Sequence, residues 1–372
     1  MKIESIKIHN FKGIKKFSAD LAPITVFVGR NNTGKSSVIE AIALSVTGGY
    51  GWVDFLGENI IRQIIESKED ISYLIHLGAE SAVISANFDG EIANMTIYPE
   101  LSHLLIEDIR YIKEELYNAW RKEYEYRVYV RARRLEEEEE KIEEILQLEY
   151  SKFWEKIYKK SIAIKYEWMN KELRSYAIII PRRVYVLGIK PGYCNIALIR
   201  SSIDLNFSTI YKDLVRKGLI RRIIEFIKSK IGYIEDVRVI DNEIYVFLSN
   251  YPKPLPLSYM GDGFKALLSL LGIIGSVKNG IIFMEEPEQR LHPGYMRLIS
   301  EAMITSAKKN EAQFIISTHS AEFLEFLLEN GKELISIVKM SLTSSGIIDY
   351  IILSGEEAYE EIEEIRMDLR WA

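Results

Sequence analysis

The amino-acid sequence predicts an α/β protein with a helical hairpin inserted into it, and three observations lead to this prediction. A glycine-rich loop stands between an apolar strand and a helical pattern in residues 24–44. Two later apolar runs, residues 280–286 and 314–320, end in carboxylate, hydroxyl or imidazole side chains. Between Pro99 and Pro181 the chain contains neither glycine nor proline, which is typical of long helices.

The composition is that of a folded protein with a sizeable core. Of 372 residues, 48% are hydrophobic and 27% are charged. The net charge of −6 argues against a wholly basic nucleic-acid-binding surface and leaves room for a local basic stripe. The single cysteine, Cys194, excludes an internal disulfide framework and a cysteine-rich zinc site, so we predict a buried structural thiol.

The same data predict where the protein works. We find no signal peptide and no apolar run of about 20 residues, so we predict a cytoplasmic protein that makes no membrane contact. Isoleucine, lysine and glutamate are used heavily and glutamine is scarce, a bias that indicates a thermophile.

The first hundred residues read mainly as strands. We predict strands over residues 3–17, 24–28, 81–88 and 91–98. Asp89-Gly90 separates the last two and is a typical hairpin turn. Glycines at 48–51 interrupt the chain after the helix that follows residue 36, and residues 60–65 form a short helical segment.

The glycine-rich loop predicts a phosphate-binding site. Residues 29–36 match the pattern GxxxxGK[ST] in the required context of strand, loop and helix. Glycines let several backbone N–H groups face an anion; Lys35 reaches the β- and γ-phosphates, and the Ser36 hydroxyl ligates Mg²⁺. The predicted cofactors are ATP and Mg²⁺, and the alternative is a plain glycine-rich turn. The predicted nucleotide-binding residues of this loop are Gly29, Asn31, Asn32, Thr33, Gly34, Lys35, Ser36 and Ser37.

The stretch without glycine or proline predicts two antiparallel helices. Apolar residues recur at three- and four-residue steps over residues 109–119 and 142–157, which favours a packed hairpin with arms of roughly 50 Å. Its turn is expected near the Arg-rich segment 127–134 or the acidic run 136–140. The aromatic residues Trp120, Tyr124, Trp154 and Trp168 belong either to the core of the hairpin or to a partner-binding surface.

After Pro181 the pattern returns to strands and helices. Strands are predicted over residues 184–187, 237–240 and 244–248, and helices over residues 211–230 and 264–275. The segment from Leu257 to Gly263 precedes the last helix, and its serine and glycines make a second anion-binding nest. A single nucleotide does not need two nests, so this duplication predicts a head-to-tail dimer in which the two nests lie on either side of one γ-phosphate.

Two later strands end in residues suited to ATP hydrolysis. In residues 280–287, a buried strand ends in Glu285 and Glu286, whose side chains point to opposite faces. We assign Glu285 to Mg²⁺ and Glu286 to the attacking water as general base. The second strand ends at Ser317-Thr318-His319, where the imidazole of His319 can contact the γ-phosphate or its water. For His292 we favour a structural role in a turn.

In these motifs the chain resembles ATP-binding-cassette ATPases of the SMC/RecF type, and most closely the ATPase domain of OLD (overcoming lysogenization defect) proteins. The resemblance implies a P-loop NTPase of the ABC type, with a mixed sheet lobe plus helices. It is carried by residues 8–13, 29–36, 260–263, 285–293 and 317–320, with the tail 368–370 also similar.

The resemblance also implies roles and departures. It implies that Ser258 and Gly261 approach the γ-phosphate bound to the partner, although Tyr259-Met260 departs from the usual LSGGQ signature. The usual strand-end aspartate is Glu285 here. No carboxylate cluster follows Asp368, so the Toprim nuclease domain of OLD proteins is not expected. The implied domains are the first part of the ATPase head in residues 1–100, a helical insertion in 101–180, and the second part of the head in 181–372.

Two functions from different classes follow. The first is an ATP-gated dimerisation switch that acts on duplex DNA in repair, recombination or defence against mobile DNA. The alternative is a regulatory or scaffold ATPase whose insertion binds a separate nuclease or toxin subunit. A small-molecule kinase and a transporter motor rank lower. The candidate DNA contacts, which are otherwise solvated surface residues, are Lys12, Lys15, Lys16, Arg131, Arg133, Arg134, Arg182 and Arg183.

Overall fold

The computed structural model describes residues 2–65, 71–133, 139–168, 173–180, 183–188, 195–200, 207–241, 243–343 and 347–363. The predictions for Cys194, Arg134, Arg182 and the tail 368–370 lie outside these residues, and the side chains of Arg131 and Arg133 are not described. The chain divides into two units. Unit 1 contains Met1–Glu4, Asp20–Ile39 and Asn195–Ala372, and unit 2 contains Ser5–Ala19 and Glu40–Cys194.

The strands are β1 Ile3–Phe11, β2 Ile14–Asp20, β3 Ile24–Gly29, β4 Ala82–Phe88, β5 Glu91–Tyr98, β6 Ile162–Trp168, β7 Leu173–Ile180, β8 Arg183–Leu187, β9 Ile196–Ile199, β10 Ile234–Ile240, β11 Glu243–Leu248, β12 Leu255–Pro256, β13 Ile281–Glu285, β14 Gln313–Ser317, β15 Ile335–Leu342 and β16 Ile348–Ser354. The helices are α1 Lys35–Thr47, α2 Ile60–Ile65, α3 Ile106–Arg133, α4 Glu139–Tyr158, α5 Phe207–Arg216, α6 Ile220–Lys230, α7 Asp262–Ser276, α8 Pro293–Lys309, α9 Ala321–Gly331 and α10 Gly355–Glu363. Within the described residues, no helix is both long enough and apolar enough to cross a bilayer.

The core of unit 1 is a six-stranded sheet in the order β16-β15-β3-β14-β13-β9. Five of its strands are parallel, and β16 runs antiparallel to β15 at the edge. Every residue of β3, β13 and β14 is buried, which explains why these strands read as continuous apolar runs rather than as alternating ones. The α/β fold class predicted from the sequence is therefore confirmed.

A glutamine fixes the first residues of the chain to this core. The Gln313 side chain accepts a hydrogen bond from Ile3 N–H at 2.8 Å and donates to the carbonyls of Ile3 at 2.9 Å and Ala22 at 3.1 Å. Its amide is buried, so each of these bonds replaces one that water would otherwise make. The start of the chain is thereby held against β14.

Unit 2 contains most of a seven-stranded sheet in the order β2-β1-β4-β5-β6-β7-β8. The predicted hairpin turn is present between β4 and β5, where Phe88 pairs with Glu91. Asp89 and Gly90 both have positive φ, at 47° and 86°. That conformation suits an Asp-Gly turn, because it matches the twist of the flanking strands.

The helical hairpin of α3 and α4 is held by its own aromatic core. Trp120 is buried with Ile142, Leu146 and Tyr150, and the Trp120 and Tyr124 rings stack at 5.3 Å. Tyr150 Oη donates to the Lys113 carbonyl at 2.5 Å. The predicted helix pair is thus confirmed. Trp120 lies in the core of the hairpin, which is one of the two interpretations given above for the aromatic residues of this segment.

The prediction of helix was wrong for residues 162–168 and 173–180, which form β6 and β7. Tyr166 and Tyr176 are buried in the sheet, while Trp168 packs on Gly49 and Phe88. The segment is rich in β-branched and aromatic residues, which favour strands. Absence of glycine and proline permits a helix but does not oppose a strand, and this is why the prediction failed here.

The buried carboxyl group of Asp54 should make the stability of unit 2 depend on pH. Its buried Oδ1 accepts N–H bonds from Leu56 at 2.9 Å and Glu58 at 2.8 Å, and within the described residues its Oδ2 has no hydrogen-bond partner. Burial raises the pKa of Asp54 from 3.8 to about 7. The raised pKa means that the folded state holds the proton more tightly, so stability falls as pH rises from about 4 to about 7, by ~1.4 kcal/mol per unit at most. We expect Asp54→Asn to melt above the wild type by a margin that grows by several degrees between pH 5 and pH 8.

The measurement is the melting temperature of both proteins across pH 5–8, with Asp89→Asn, at an exposed turn, as the matched control. An equal melting difference between wild type and Asp54→Asn at every pH would contradict the prediction.

Candidate functional site

The carboxyl ends of β3, β14 and β13 meet at one edge of the sheet in unit 1. Ser317 at the end of β14 is in register with Phe27 of β3 on one side and with Glu285 of β13 on the other. The glycine-rich loop, the two glutamates and the Ser317–His319 segment therefore leave the sheet side by side. Ligands of open α/β sheets bind at this edge, so the register of the strands brings the predicted residues together.

The glycine-rich loop has the backbone that its pattern requires. Gly29, Asn32 and Gly34 have φ of 141°, 65° and 92°, and a Cβ on Gly29 would collide with the Met340 carbonyl of the neighbouring strand β15. The buried Thr33 side chain donates from Oγ1 to the Arg30 carbonyl at 2.9 Å and closes the turn. Asn31, Asn32 and Ser36 are exposed, and Ser37 is half-buried.

Lys35 lies inside this loop rather than in solvent. Its Nζ donates to the carbonyls of Gly29 at 2.9 Å and Arg30 at 2.7 Å. Burial lowers the pKa of Lys35, and the negative charge of Glu286 partly offsets this effect. A buried ammonium held against loop carbonyls and near a carboxylate is ready to meet a phosphate, since the anion would replace lost hydration.

Glu285 has one carboxylate oxygen that is still available. Arg200, which follows β9, donates from Nε to Glu285 Oε2 at 3.2 Å, whereas Oε1 is buried and has no hydrogen-bond partner among the described residues. Such an orphaned oxygen suits a cation. No group of three or more His, Cys, Asp or Glu that could hold a metal occurs in the described parts of the chain, so any ion here would complete its shell with hydroxyl, water and phosphate oxygens.

Glu286 and His319 form a pair. His319 Nε2 lies 3.4 Å from Glu286 Oε1, and Gln289 donates to Glu286 Oε2. Glu286 has a left-handed backbone, with φ of 49° and ψ of 56°, and its N–H donates to the Ser317 carbonyl at 2.9 Å. A non-glycine residue in this conformation is strained, and such strain is concentrated at functional sites.

A third glutamate supports this pair and was missed in the sequence. Buried Glu288 accepts at Oε1 from Thr318 Oγ1 at 2.7 Å and from His319 N–H at 2.9 Å. It thus fixes the backbone that carries the His319 imidazole. The signal available was an acid just after Pro287 in an otherwise short turn, but only the three-dimensional structure shows its partners. Arg200 was missed for the same reason.

His292 has the structural role that the sequence favoured. It is the N-cap of α8, and its Nδ1 accepts a hydrogen bond from Gly294 N–H at 3.2 Å. Pro293 follows as the first helical residue, where its missing N–H is not needed.

The second nest lies at the start of α7 and faces open space. Gly261 is the N-cap of α7 with φ of −62° and ψ of 150°, and no atom lies within 4 Å of a Cβ built on it. Ser258 is exposed, and no hydrogen bond of its side chain is found in the described parts of the chain. Tyr259 between them is 82% exposed. Both predicted residues are therefore accessible to a second molecule.

The residues proposed from the sequence as DNA contacts differ in their exposure. Lys12 is not an exposed cation, because it forms a largely buried ion pair with Glu40 of α1. It lies in the turn between β1 and β2, with φ of 50°. Arg183 is bound to Glu123 at 3.0 Å and stacks on Tyr124. Lys15 and Lys16 are exposed on β2.

Comparison with known proteins identifies relatives of parts of the chain. An uncharacterized protein of Methanocaldococcus jannaschii, MJECL11, is 32% identical over 113 residues, which are 30% of this chain and 95% of that protein. A protein of Helicobacter pylori named ATP/GTP phosphatase is 30% identical over 90 residues, which are 23% of this chain and only 24% of that protein.

Solved structures and a family profile extend the comparison to most of the chain. A structure described as the SmcHead bound to the C-winged helix domain of ScpA aligns with a TM-score of 0.51 and 17% identity over 96% of this chain and 100% of that one. This similarity shows the fold. The profile of AAA_21, described as "AAA domain, putative AbiEii toxin, Type IV TA system", matches residues 24–325. The chain therefore belongs to the AAA_21 family of AAA-type ATPases and has the fold of an SMC head ATPase domain.

Proposed function

We propose that this protein is an OLD-like ATPase that ATP and Mg²⁺ switch from separate copies to a dimer, and that the switch acts in DNA repair, recombination or defence against mobile DNA. The observation that carries the proposal is the arrangement of unit 1. The Glu286–His319 pair stands at the sheet edge that bears the glycine-rich loop, while the nest of Ser258 and Gly261 faces open space. The first group is a half-site for hydrolysis, and the second is a surface that needs a partner.

Each loop residue has a role in this proposal. The N–H groups of residues 29–37 surround the phosphates, and Lys35 adds a positive charge between the β- and γ-phosphates. The Ser36 hydroxyl and Glu285 Oε1 would hold Mg²⁺, which would neutralise phosphate charge. Asn31, Asn32, Thr33 and Ser37 shape the loop around the nucleotide.

Glu286 and His319 carry the hydrolysis step. Glu286 orients the attacking water and accepts its proton, and His319 positions the carboxylate and contacts the γ-phosphate. The remaining charge on the γ-phosphate is met by Ser258 and Gly261 of a second copy. Because those contacts exist in full only in the dimer, ATP favours the dimer and hydrolysis releases it.

A mixing experiment tests whether the site is shared. Lys35→Ala should lose nucleotide binding and Gly261→Asp should place a carboxylate against the γ-phosphate of the partner, so each variant alone should be inactive. In an equimolar mixture, a heterodimer has one intact composite site, built from the loop of one variant and the nest of the other. We expect ATP turnover to return to roughly a quarter of the wild-type value, as half the dimers then carry one of two sites.

The matched control is a mixture of Lys35→Ala with Lys35→Arg, in which no intact site can form. If the Lys35→Ala and Gly261→Asp mixture stayed as inactive as this control at concentrations where the wild type dimerises, the shared site would be refuted.

A second function, a scaffold ATPase that binds a nuclease or toxin subunit through residues 101–180, is favoured by a specific observation. The α3–α4 hairpin buries Trp120 but exposes Tyr126 and Leu148, at 77% and 57%. Exposed apolar side chains on a helix pair suit a protein partner. Affinity capture with the wild type and with Tyr126→Ser plus Leu148→Ser should then recover a stoichiometric partner only with the wild type.

A further inference from the structure

The α5–α6 hairpin, residues 207–230, concentrates positive charge in an acidic protein. It contains seven Lys or Arg and two acidic residues, a net charge of +5, whereas the whole chain carries −6. Residues 216–222 read Arg-Lys-Gly-Leu-Ile-Arg-Arg, with four basic residues in seven. Basic segments of this length are typical of surfaces that bind nucleic acid or another polyanion.

The turn between the two helices gathers these charges. Gly218 has φ of 67°, its N–H donates to the Val215 carbonyl at 3.1 Å, and Leu219 N–H donates to the Leu214 carbonyl at 2.8 Å. This is a Schellman ending, which stops α5 just before α6 begins. Arg216 at the end of α5 and Arg222 at the start of α6 are consequently only six residues apart and both exposed.

Part of this charge is neutralised by neighbouring acids. Three ion pairs account for it: Lys217 with Asp213 at 2.8 Å, Arg221 with Glu225 at 3.0 Å, and Lys230 with Glu301 of α8 at 2.5 Å. The other four cations are exposed and form no ion pair within the described residues: Lys212, Arg216, Arg222 and Lys228. Four uncompensated cations on one helical hairpin attract an extended anion.

The surface is wrong for insertion into a membrane. Val215 is the single large apolar residue of the hairpin that is exposed, at 50%, and the other apolar residues are either buried, as are Ile210, Leu214 and Ile227, or half-buried. A membrane-binding helix needs a broad exposed apolar face. A hydrated phosphate backbone needs only cations at the surface, so the observations favour nucleic acid.

The inward face packs directly on α7, the helix that begins at Gly261. A Cβ built on Gly272 would lie 2.6 Å from Ile210 Cγ2, and one on Gly275 would lie 2.5 Å from Ile223 Cδ1. Two glycines of α7 therefore admit side chains from α5 and α6 against its backbone. A displacement of the hairpin is transmitted directly to α7, because closely packed interiors transmit displacement.

We propose that the α5–α6 hairpin binds the phosphate backbone of duplex DNA through Lys212, Arg216, Arg222 and Lys228, and that its packing on α7 couples DNA binding to the nest at Gly261. The coupling rests on the proposed function, but the binding does not. The site differs from the candidate contacts taken from the sequence, none of which lies in this hairpin.

The test measures binding of a short, labelled, random-sequence DNA duplex by fluorescence anisotropy over a salt series. Three proteins are compared: the wild type, the hairpin variant K212Q/R216Q/R222Q/K228Q, and the control K152Q/K156Q/K159Q/K160Q, which removes four exposed lysines at α4 and just beyond its end. We expect the hairpin variant to bind the duplex at least about tenfold more weakly at ~0.1 M salt. The slope of the logarithm of its association constant against the logarithm of the salt concentration should be less negative than that of the wild type by about three to four. The control should bind like the wild type.

Three outcomes overturn the DNA site: equal binding by the two variants, loss of binding in the control as well, or tighter hairpin-dependent binding to phosphatidylserine vesicles than to the duplex. Binding of a fluorescent ATP analogue by the hairpin variant shows that its nucleotide loop is folded. If that variant misfolds, Arg216→Glu and Arg222→Glu are tested singly.

A separate measurement, of ATP turnover with and without DNA, tests the coupling between the hairpin and the nest. Duplex DNA should change the ATP turnover of the wild type and of the control at least about twofold, while leaving the basal turnover of the hairpin variant unaltered. A DNA effect that persists in the hairpin variant refutes the coupling. If no protein turns over ATP although the hairpin binds DNA, the proposed function fails and the DNA site stands.

Discussion

Replacing Glu286 with glutamine is expected to lower ATP turnover by about 10²–10⁴-fold, the usual contribution of a general base. Glutamine preserves the size of the side chain and its contact with Gln289, but it cannot accept the proton of the attacking water. The Glu286 carboxylate lies 3.4 Å from His319 Nε2, and its negative charge acts on Lys35 of the loop by raising the pKa of the ammonium. Nucleotide binding should survive, because the loop is intact.

The variant should therefore accumulate as an ATP-bound dimer. Size-exclusion chromatography with light scattering, with and without ATP and Mg²⁺, measures this, and phosphate release measures turnover. Glu325→Gln on α9 is the matched control, since Glu325 is exposed and lies outside the site. Wild-type turnover in Glu286→Gln would contradict the role of general base, and a single-copy mass under every condition would contradict the dimer.

Lys35→Ala is expected to weaken ATP binding by about 30-fold or more. Removing one partner of a buried charge pair costs ~2–5 kcal/mol, and each 1.4 kcal/mol is a factor of ten in affinity. The wild-type ammonium is already buried, so little further desolvation opposes the phosphate contact. Calorimetry or a fluorescent ATP analogue measures the change in dissociation constant.

Lys35 also ties the loop together through the carbonyls of Gly29 and Arg30, so a structural explanation has to be separated from an electrostatic one. The melting temperature without nucleotide tests the structural part, and Lys15→Ala, at an exposed position on β2, is the control. Affinity for ATP within a few-fold of the wild type would refute the assigned contact with the phosphates.

The sequence was most informative where chemistry and local structure coincide. The loop pattern specifies its own backbone, since Gly29 and Gly34 take positive φ that other residues avoid. The strand that ends at Glu285 was readable because both faces of a central parallel strand must be apolar. The Asp89-Gly90 turn was readable because its conformation depends on those two residues alone.

The sequence was least informative where the structure depends on distant contacts. Arg200 meets Glu285 across 85 positions, and Glu288 meets Thr318 across 30, so neither partner could be inferred from its neighbours along the chain. Lys12 looked like a surface cation until the fold brought Glu40 to it. The strands β6 and β7, which pair with β5 and β8, were missed because the absence of glycine and proline was given more weight than the β-branched and aromatic content of the segment.

The position of β3 has a consequence for biosynthesis. This strand presents the ATP-binding loop, yet its neighbours in the sheet are β14 and β15, which the ribosome makes some three hundred residues later. At typical elongation rates the nascent loop waits roughly 15–60 s before either flanking strand exists. We therefore expect nascent chains and truncated fragments that lack β14 and β15 to bind no ATP. We also expect β3, once it has left the ribosome, to be the segment that most needs a chaperone.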